Sequence, residues 1–269
     1  MKLGLALSGG AARGLAHIGV IEVLEREGIR IDMVAGTSMG AIIGAAYARG
    51  LSAAELKAVA LDLGWRKLAP MVDLNPLQTS GLIGARRIRK KLESFIGDVT
   101  FSELQRSFAC VATDIISGEA VVLTKGRVLD AVLASMALPL VFKVPRIGRR
   151  YLIDGGLSDP LPVGPLRSMG ADKVVAVNVL RNLGITPPHR NHGHPLPKRP
   201  PNFLQVANQV VYIASAHLAA AGVKDADVAI EPDMTGIHLA DFSLAHEAIL
   251  RGELAAVAAM PAIRRMIEG

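Results

Sequence analysis

One candidate for a chemical role in this sequence is a serine flanked by two glycines, Ser38 in "GTSMG" (36–40). The Gly-x-Ser-x-Gly pattern is typical of nucleophilic serines on a sharp strand-to-helix turn, where Gly36 and Gly40 would supply the necessary room. A hydroxyl at this point can equally cap the helix that follows. The motif alone leaves the nucleophile and the helix cap open.

A glycine-rich segment near the start of the chain is the second candidate. It consists of Gly9, Gly10, Ala11, Ala12, Arg13 and Gly14. A dinucleotide fingerprint needs a glycine where Ala11 stands, and a phosphate-binding Walker loop needs a lysine and a hydroxyl residue where Leu15 and Ala16 stand. An oxyanion hole requires only main-chain amides exposed at the start of a helix. The segment meets that requirement, and a tight turn without a catalytic role fits it as well.

Ser38 needs a base within reach before its hydroxyl can act as a nucleophile. The chain has no histidine between positions 17 and 189. An aspartate is the nearer option, because Asp154 follows an apolar strand in "YLIDGGLSDPLPV" and precedes the small pair Gly155-Gly156. An ionised aspartate bonded to a serine hydroxyl can accept its proton. A turn aspartate is the other interpretation of Asp154.

Short apolar runs alternate with helical patterns and would position these residues. We expect strands at 2–8, 31–36, 173–180 and 227–232, hairpins at 108–124 and 146–156, and helices after the first two strands. Further helices are expected at about 53–63, 127–137, 202–222 and from 244. This alternation predicts an α/β fold with a parallel sheet. Because parallel strands end at one edge, the loop at 9–14 and Ser38 are expected side by side.

We expect one domain over residues 1–269 that contains two loop segments. Segment 64–81 has the composition of a lid or rim, and segment 181–201 that of a mobile loop rich in proline and histidine. His189, His192 and His194 of this loop could bind a metal, but no Asp, Glu or Cys accompanies them there. We therefore expect neither a metal nor a cofactor.

The net charge of +6 raises the question of an acidic partner, and basic residues cluster at 85–91 and 146–150. The chain has one tryptophan, three tyrosines and six phenylalanines, and none is interleaved with these clusters as a base-stacking surface requires. Nucleic acid is therefore not an expected partner. A solvated helix face and attraction to anionic lipid headgroups stay open for the cluster at 85–91.

The apolar content gives no sign of a targeting or spanning segment. No run reaches the roughly 18 apolar residues that span a bilayer, and the stretch at 3–7 is too short for a signal peptide. The single cysteine, Cys110, has no partner in the chain and fits a small core residue in a reducing cytoplasm. We expect a cytoplasmic protein, with a peripheral position at a membrane as an alternative. The sequence leaves the oligomeric state open.

Taken together, the loops at 9–14, 36–40 and 154–156 resemble the patatin-like phospholipase family in order and separation. The segments "HIGVIEVL" (17–24), "ASMALPLVF" (134–142) and "DGGLSDPLPV" (154–163) are similar to the family's blocks as well. The resemblance covers about residues 1–180 and is greatest to short, single-domain bacterial members. It implies a three-layer α/β/α fold with a mostly parallel central sheet.

The resemblance also implies a function, a serine acyl hydrolase with lipid esterase or phospholipase A-type activity on lipid or acyl-ester substrates. In that scheme Ser38 is the nucleophile, Asp154 is the base, and main-chain amides of the 9–14 loop form the oxyanion hole. The family's loop usually opens with three glycines, so Ala11 would change its geometry if the position needs a positive φ. Arg13 matches the family's basic residue, either beside the oxyanion or paired with a carboxylate.

Three other functions are open to a sequence of this kind. A catalytically weak regulatory or scaffolding member of the same fold is the first, and the intact Ser38 and Asp154 argue against it. A histidine-triad esterase is the second, and the early position of the serine argues against it. Its histidine would be His217, His238, His246 or one of those in the 181–201 loop. A nucleotide-binding module is the third.

Overall fold

The structure, a computed structural model, describes residues 1–62, 81–139, 142–181 and 203–269. The predicted lid segment 64–81 and the predicted mobile loop 181–201 lie outside these residues, apart from positions 81 and 181. The strands, hairpins and helices predicted within the described residues are all present, with ends shifted by a few positions.

The described residues form an eight-stranded sheet. Its strands are β1 Leu3–Leu7, β2 Met33–Thr37, β3 Ser107–Asp114, β4 Ala120–Leu123, β5 Arg146–Ile147, β6 Arg150–Asp154, β7 Lys173–Val177 and β8 Val228–Ile230. The pairing runs β5–β6–β3–β2–β1–β7–β8, and β4 also pairs with β3. The pairs β1–β2, β1–β7, β2–β3 and β7–β8 are parallel, whereas β4, β5 and β6 pair antiparallel.

Eight helices lie within the described residues. They are α1 Ala16–Arg26, α2 Met39–Arg49, α3 Ala53–Leu61, α4 Gly81–Ile96, α5 Val128–Ser135, α6 Val163–Ser168, α7 Phe203–Asp225 and α8 Ala245–Glu268. The basic cluster at 85–91 lies on α4, where Ile88 and Leu92 are buried and Arg89 and Lys91 form ion pairs with Asp130 and Asp62. That part of α4 is an amphipathic helix with a charged outer face.

The side chains of β1 show how the sheet separates two layers of helices. Leu3, Leu5 and Leu7 belong to one core together with residues of α1, α2 and α8. Ala6 belongs to a second core together with residues of α6 and α7. A Cβ placed on Gly4 would lie 3.1 Å from Leu166 Cδ1, so α6 packs directly on this strand. The three-layer α/β/α fold with a mostly parallel sheet is confirmed.

Two strands end against the same side of β3. Val111 of β3 is in register with Thr37 of β2, and the next residue, Ala112, is in register with Asp154 of β6. β4 also pairs with both of these β3 residues. Since β4 occupies one side of β3 at both positions, β2 and β6 must share the other side. They run in opposite directions and meet end to end, which brings the residue after Thr37 beside Asp154.

Candidate active site

Ser38 lies where β2 turns into α2, and its backbone has an unusual conformation. Its φ of 55° and ψ of −117° fall in a region that residues with a side chain rarely adopt. The flanking glycines permit the turn, because a Cβ on Gly36 would overlap the Gly40 carbonyl and a Cβ on Gly40 would overlap the Leu7 carbonyl. Helix α2 therefore begins directly against the ends of β1 and β2.

The Ser38 hydroxyl makes no capping bond to α2 and points to the end of β6 instead. Its Oγ donates a hydrogen bond to Asp154 Oδ2 at 2.6 Å, and Asp154 Oδ1 accepts one from the Gly156 N–H at 2.8 Å. Both side chains are buried, with Ser38 8% and Asp154 3% exposed. Burial raises the pKa of Asp154 to about 6, although the bonds from Ser38 and Gly156 lower it. At neutral pH the carboxylate is therefore ionised and can accept a proton.

The two glycines after Asp154 let β6 end in a confined space. A Cβ on Gly155 would overlap the Val111 carbonyl of β3, and a Cβ on Gly156 would lie 2.7 Å from Ser215 Oγ of α7. Ser215 also donates a hydrogen bond to the Gly156 carbonyl at 2.7 Å. The two glycines after Asp154 thus lie between β3 of the central sheet and α7 of the helix layer that packs on that side of the sheet.

Ser135, at the end of α5, holds the Ser38 main chain and is not among the site residues predicted from the sequence. Its Oγ accepts a hydrogen bond from the Ser38 N–H at 2.9 Å and donates one to the Val111 carbonyl at 2.6 Å. The side chain is fully buried. A single hydroxyl in the apolar segment "DAVLASMAL" was the available signal, since a buried polar group needs a partner.

The glycine-rich loop lies against Ser38, as the parallel sheet predicted. A Cβ placed on Gly9 would lie 3.5 Å from the Ser38 Cβ. Gly10 has a φ of 145° and Ala11 a φ of 46°. The third residue of the loop therefore does adopt a positive φ, and alanine carries a strain there that glycine would not.

The amides of this loop differ in whether they are free. Two amides, those of Gly10 and Ala11, have no hydrogen-bond acceptor in the described part of the chain. An amide already bonded to a carbonyl is a poor donor to an oxyanion, so within the predicted set at 9–14 the Gly10 and Ala11 amides suit that role better than those of Gly9, Ala12 and Arg13. Three other amides of the loop are hydrogen-bonded, each with an N···O distance of 3.0 Å. The Gly9 N–H donates to the Pro160 carbonyl, the Ala12 N–H to the Leu239 carbonyl and the Arg13 N–H to the Gly10 carbonyl.

Arg13 bonds to main-chain carbonyls and anchors the loop from behind. Its Nε donates to the Ile237 carbonyl at 2.7 Å and its Nη1 to the Arg181 carbonyl at 3.4 Å. Within the described ranges it forms no ion pair, so the carboxylate partner considered for it is absent there. Gly14 completes the loop in a 3-10 turn, with no room for a Cβ beside Met39 of α2.

His17 of α1 fixes the end of β1 and is fully buried. Its Nε2 lies 2.8 Å from the Ser8 carbonyl, and burial lowers the pKa of His17 to about 4. The ring is therefore neutral at pH 7, and its Nε2 carries the proton because a carbonyl can only accept.

The described residues contain neither a histidine bonded to the Ser38–Asp154 pair nor a cluster of metal ligands. His217, His238 and His246 are exposed, and none of them is hydrogen-bonded to Ser38 or Asp154. No group of three or more potential metal ligands occurs in the described ranges, and His189, His192 and His194 lie outside them. In the same ranges no helix is long and apolar enough to cross a membrane.

The fold and the site define an α/β protein whose serine, on a strand-to-helix turn, is bonded to an aspartate and adjoins a glycine-rich loop. A family model described as "Patatin-like phospholipase" matches residues 5–167. The chain belongs to the patatin-like phospholipase family.

Two curated relatives and one solved structure illustrate this membership. An uncharacterised NTE family protein of Mycobacterium tuberculosis is 35% identical over 178 residues, which is 66% of this chain and 49% of the relative. Patatin-like phospholipase domain-containing protein 6 of Mus musculus is 37% identical over 187 residues, 66% of this chain and 13% of that protein. This chain thus spans about half the length of the first relative and a small part of the second.

The crystal structure of VipD from Legionella pneumophila has the same fold. It gives a TM-score of 0.53 at 14% sequence identity, covering 97% of this chain and 66% of that chain.

Proposed function

We propose that this protein is a serine acyl hydrolase that cleaves lipid esters, with Ser38 as the nucleophile and Asp154 as its base. The observation that carries the proposal is the 2.6 Å hydrogen bond from Ser38 Oγ to Asp154 Oδ2 within a buried pair. Membership of the patatin-like phospholipase family supports a lipid as the class of substrate.

The proposed reaction has two half-reactions that use the same proton acceptor. Ser38 Oγ attacks the ester carbonyl carbon while its proton passes to Asp154 Oδ2. Collapse of the tetrahedral intermediate breaks the bond to the alcohol, which leaves with that proton. Water then attacks the acyl-serine and gives a proton to Asp154. The acid departs as Ser38 Oγ takes the proton back.

The amides of Gly10 and Ala11 would donate hydrogen bonds to the negatively charged oxygen of the intermediate. These two amides have no acceptor in the described residues, and their loop adjoins the Ser38 side chain. Donors that are fixed before the reaction stabilise an oxyanion best where water is excluded. The anchoring of the loop through Ala12 and Arg13 would keep these donors in place.

Ser135 would act as a positioning residue in this scheme. Ser38 holds a conformation that costs on the order of 1–3 kcal/mol. The bond from its N–H to Ser135 Oγ supplies the acceptor that a buried amide requires. The direction of the Ser38 hydroxyl would therefore depend on a residue that never touches the substrate.

Hydrolysis of p-nitrophenyl acyl esters and covalent labelling by a fluorophosphonate test the proposal. Ser38→Ala should lower kcat at least about 10⁴-fold and abolish labelling, because no other group replaces the attacking oxygen. Ser94→Ala is the matched control, since that exposed hydroxyl bonds the Lys91 carbonyl of its own helix.

Two results would contradict it. Wild-type turnover in Ser38→Ala would remove Ser38 as the nucleophile. A folded wild-type protein that neither labels nor hydrolyses any ester would be a weak regulatory or scaffolding member of the family.

A further inference from the structure

Two hairpin turns project beyond the site at the carboxyl edge of the sheet. β3 continues for three residues past the level of Thr37, and its turn to β4 occupies 115–119. β6 runs outward from Asp154 to Arg150, and the turn to β5 follows at 148–149. At about 3.3 Å per residue, the four steps from Asp154 to Arg150 place the start of this second turn about 13 Å beyond the level of Asp154.

Large apolar side chains are exposed on these turns. Ile116 is 82% exposed, and Ile115 and Tyr151 are each 47% exposed. They adjoin, because the Ile115 N–H donates to the Tyr151 carbonyl at 3.0 Å. Neighbouring exposed apolar side chains are typical of a surface that a partner covers.

Unpaired cations lie beside these apolar side chains. The Arg146 guanidinium stands over the Tyr151 ring, 5.8 Å from its centroid, and Arg149 occupies the turn itself. Both are exposed, and neither forms an ion pair within the described ranges. We refer to the following residues as the tip surface: Ile115, Ile116, Arg146, Arg149 and Tyr151.

The tip surface is one unit because ion pairs join its two turns. Arg150 of β6 pairs with Asp114 at 3.3 Å and with Glu119 at 3.4 Å, on either side of the β3–β4 turn. Arg150 balances one of the two negative charges of Asp114 and Glu119. Together with Arg146 and Arg149, which form no ion pair in the described ranges, the charged groups of the two turns carry three positive and two negative charges, a net +1.

We propose that the tip surface docks the protein on an anionic lipid surface. Apolar side chains flanked by cations match an interface in which acyl chains lie beneath anionic headgroups. A lipid layer at this surface would face the edge of the sheet where β2 ends and Ser38 precedes α2. The choice of lipid as the partner rests on the proposed function of the site.

Vesicle partition tests the inference, measured in a Ser38→Ala background so that no lipid is consumed. We expect binding to phosphatidylcholine vesicles containing phosphatidylglycerol, weaker binding to pure phosphatidylcholine, and loss of the difference at high salt. Arg149→Glu should lower the partition coefficient at least about fivefold, because each cation near such a surface contributes about that factor. Ile116→Ser should lower it roughly tenfold.

Two matched controls should leave the partition coefficient unchanged. Arg30→Glu makes the same change of net charge at an 89% exposed side chain just before β2, and Leu254→Ser removes a 62% exposed leucine from α8. Equal effects of Arg30→Glu and Arg149→Glu would overturn the proposal, because net charge alone would then explain binding. If the protein binds neither kind of vesicle, the proposal is overturned as well, and the partner of the tip surface is a protein instead of a lipid.

A second assay separates this inference from the proposed function. With Ser38 intact, Arg149→Glu and Ile116→Ser should hydrolyse a short-chain p-nitrophenyl ester at the wild-type rate, which also verifies their fold. If the wild type hydrolyses no ester, the proposed function fails while vesicle partition still tests the tip surface.

Discussion

The ends of β1 and β2 each carry a non-glycine residue with positive φ, Ala11 and Ser38, but the two are held differently. Ser38 is bonded through both its main chain and its side chain, to Ser135 and to Asp154. The Ala11 amide has no acceptor in the described residues, and its loop is anchored through neighbouring residues. The proposed acyl hydrolase would need this difference, because its nucleophile must be fixed in direction while its oxyanion donors must stay free.

Replacing the partner of the Ser38 side chain should have the largest effect on this comparison. Asp154→Asn keeps the shape of the side chain but cannot accept the proton, so we expect kcat to fall about 10⁴-fold. Because burial raises the pKa of Asp154, the ionised form is costly in the folded state. The melting temperature of Asp154→Asn at pH 8 should therefore not be lower than that of the wild type.

Ester hydrolysis and thermal unfolding of the same preparation check this prediction. Asp172→Asn, at a 60% exposed side chain, is the control for the loss of a negative charge. Near wild-type turnover in Asp154→Asn would show that the bond from Ser38 has no catalytic role.

Removing the partner of the Ser38 main chain should have the next largest effect. Ser135→Ala leaves the buried Ser38 N–H and Val111 carbonyl without partners. We expect kcat to fall by roughly 10- to 100-fold with KM unchanged, and fluorophosphonate labelling to slow by a similar factor.

Val132→Ala is the matched control for Ser135→Ala, because Val132 is fully buried on the same helix. Its cavity lowers stability without removing either of the hydrogen bonds from Ser38 to Ser135 and Asp154. If both variants lose activity in proportion to their melting temperatures, Ser135 has a purely structural role.

Protonation of Asp154 should weaken the Ser38 contact reversibly. The pKa of Asp154 is about 6 in the folded protein, so the fraction of ionised base falls with pH below that value. We expect kcat/KM to decrease about tenfold per pH unit on the acidic side of pH 6. Since the folded pKa exceeds the unfolded one, this group stabilises the fold most at low pH, and its contribution is lost as pH rises from about 4 to 6.

A second carboxyl, which is half-buried, provides the control for this pH dependence. Burial also raises the pKa of Asp159 to about 6, and its main-chain carbonyl accepts a hydrogen bond from Thr37 Oγ1. The midpoint of the kcat/KM profile should stay in place in Asp159→Asn. If the midpoint moves in Asp159→Asn, the pH profile reports the titration of Asp159, and its assignment to Asp154 is wrong.

Relaxing the loop at the end of β1 should have the smallest effect. Ala11→Gly removes the strain of a positive φ, so we expect the free energy of unfolding to rise by less than about 1 kcal/mol and turnover to stay within about twofold. Ala12→Gly, one residue on and without a positive φ, should lower it by about 0.5–1 kcal/mol. Equal destabilisation by both variants would contradict a strained Ala11.

Prediction from the sequence succeeded where the signal is local. The alternation of strands and helices was enough for the α/β sheet, because each element's apolar pattern is written in its own residues. Gly36 marked the turn at Ser38 because it contacts the Gly40 carbonyl within that turn, whereas the reason for Gly40 is the Leu7 carbonyl of β1. The fold and the family are confirmed, and the catalytic roles of Ser38 and Asp154 stay predictions.

The contacts that distinguish the two strand ends lay beyond such reasoning. The Ser38 N–H and Ser135 Oγ are 97 residues apart in the chain, and Arg13 reaches a carbonyl 224 residues away. No local pattern encodes a partner at that separation. The choice of free and engaged amides in the 9–14 loop depends on such distant carbonyls, so the sequence predicted a loop of donors but not which ones.

By itself the sequence determined the chemical types, a serine on a glycine-flanked turn, an aspartate before two glycines and a loop of small residues. Only the tertiary structure decided that Ser38 and Asp154 meet. β2 and β6 arrive from opposite directions and end at neighbouring positions along one side of β3. Strand direction and register depend on pairing across the whole sheet, and that pairing exists only once the chain has folded.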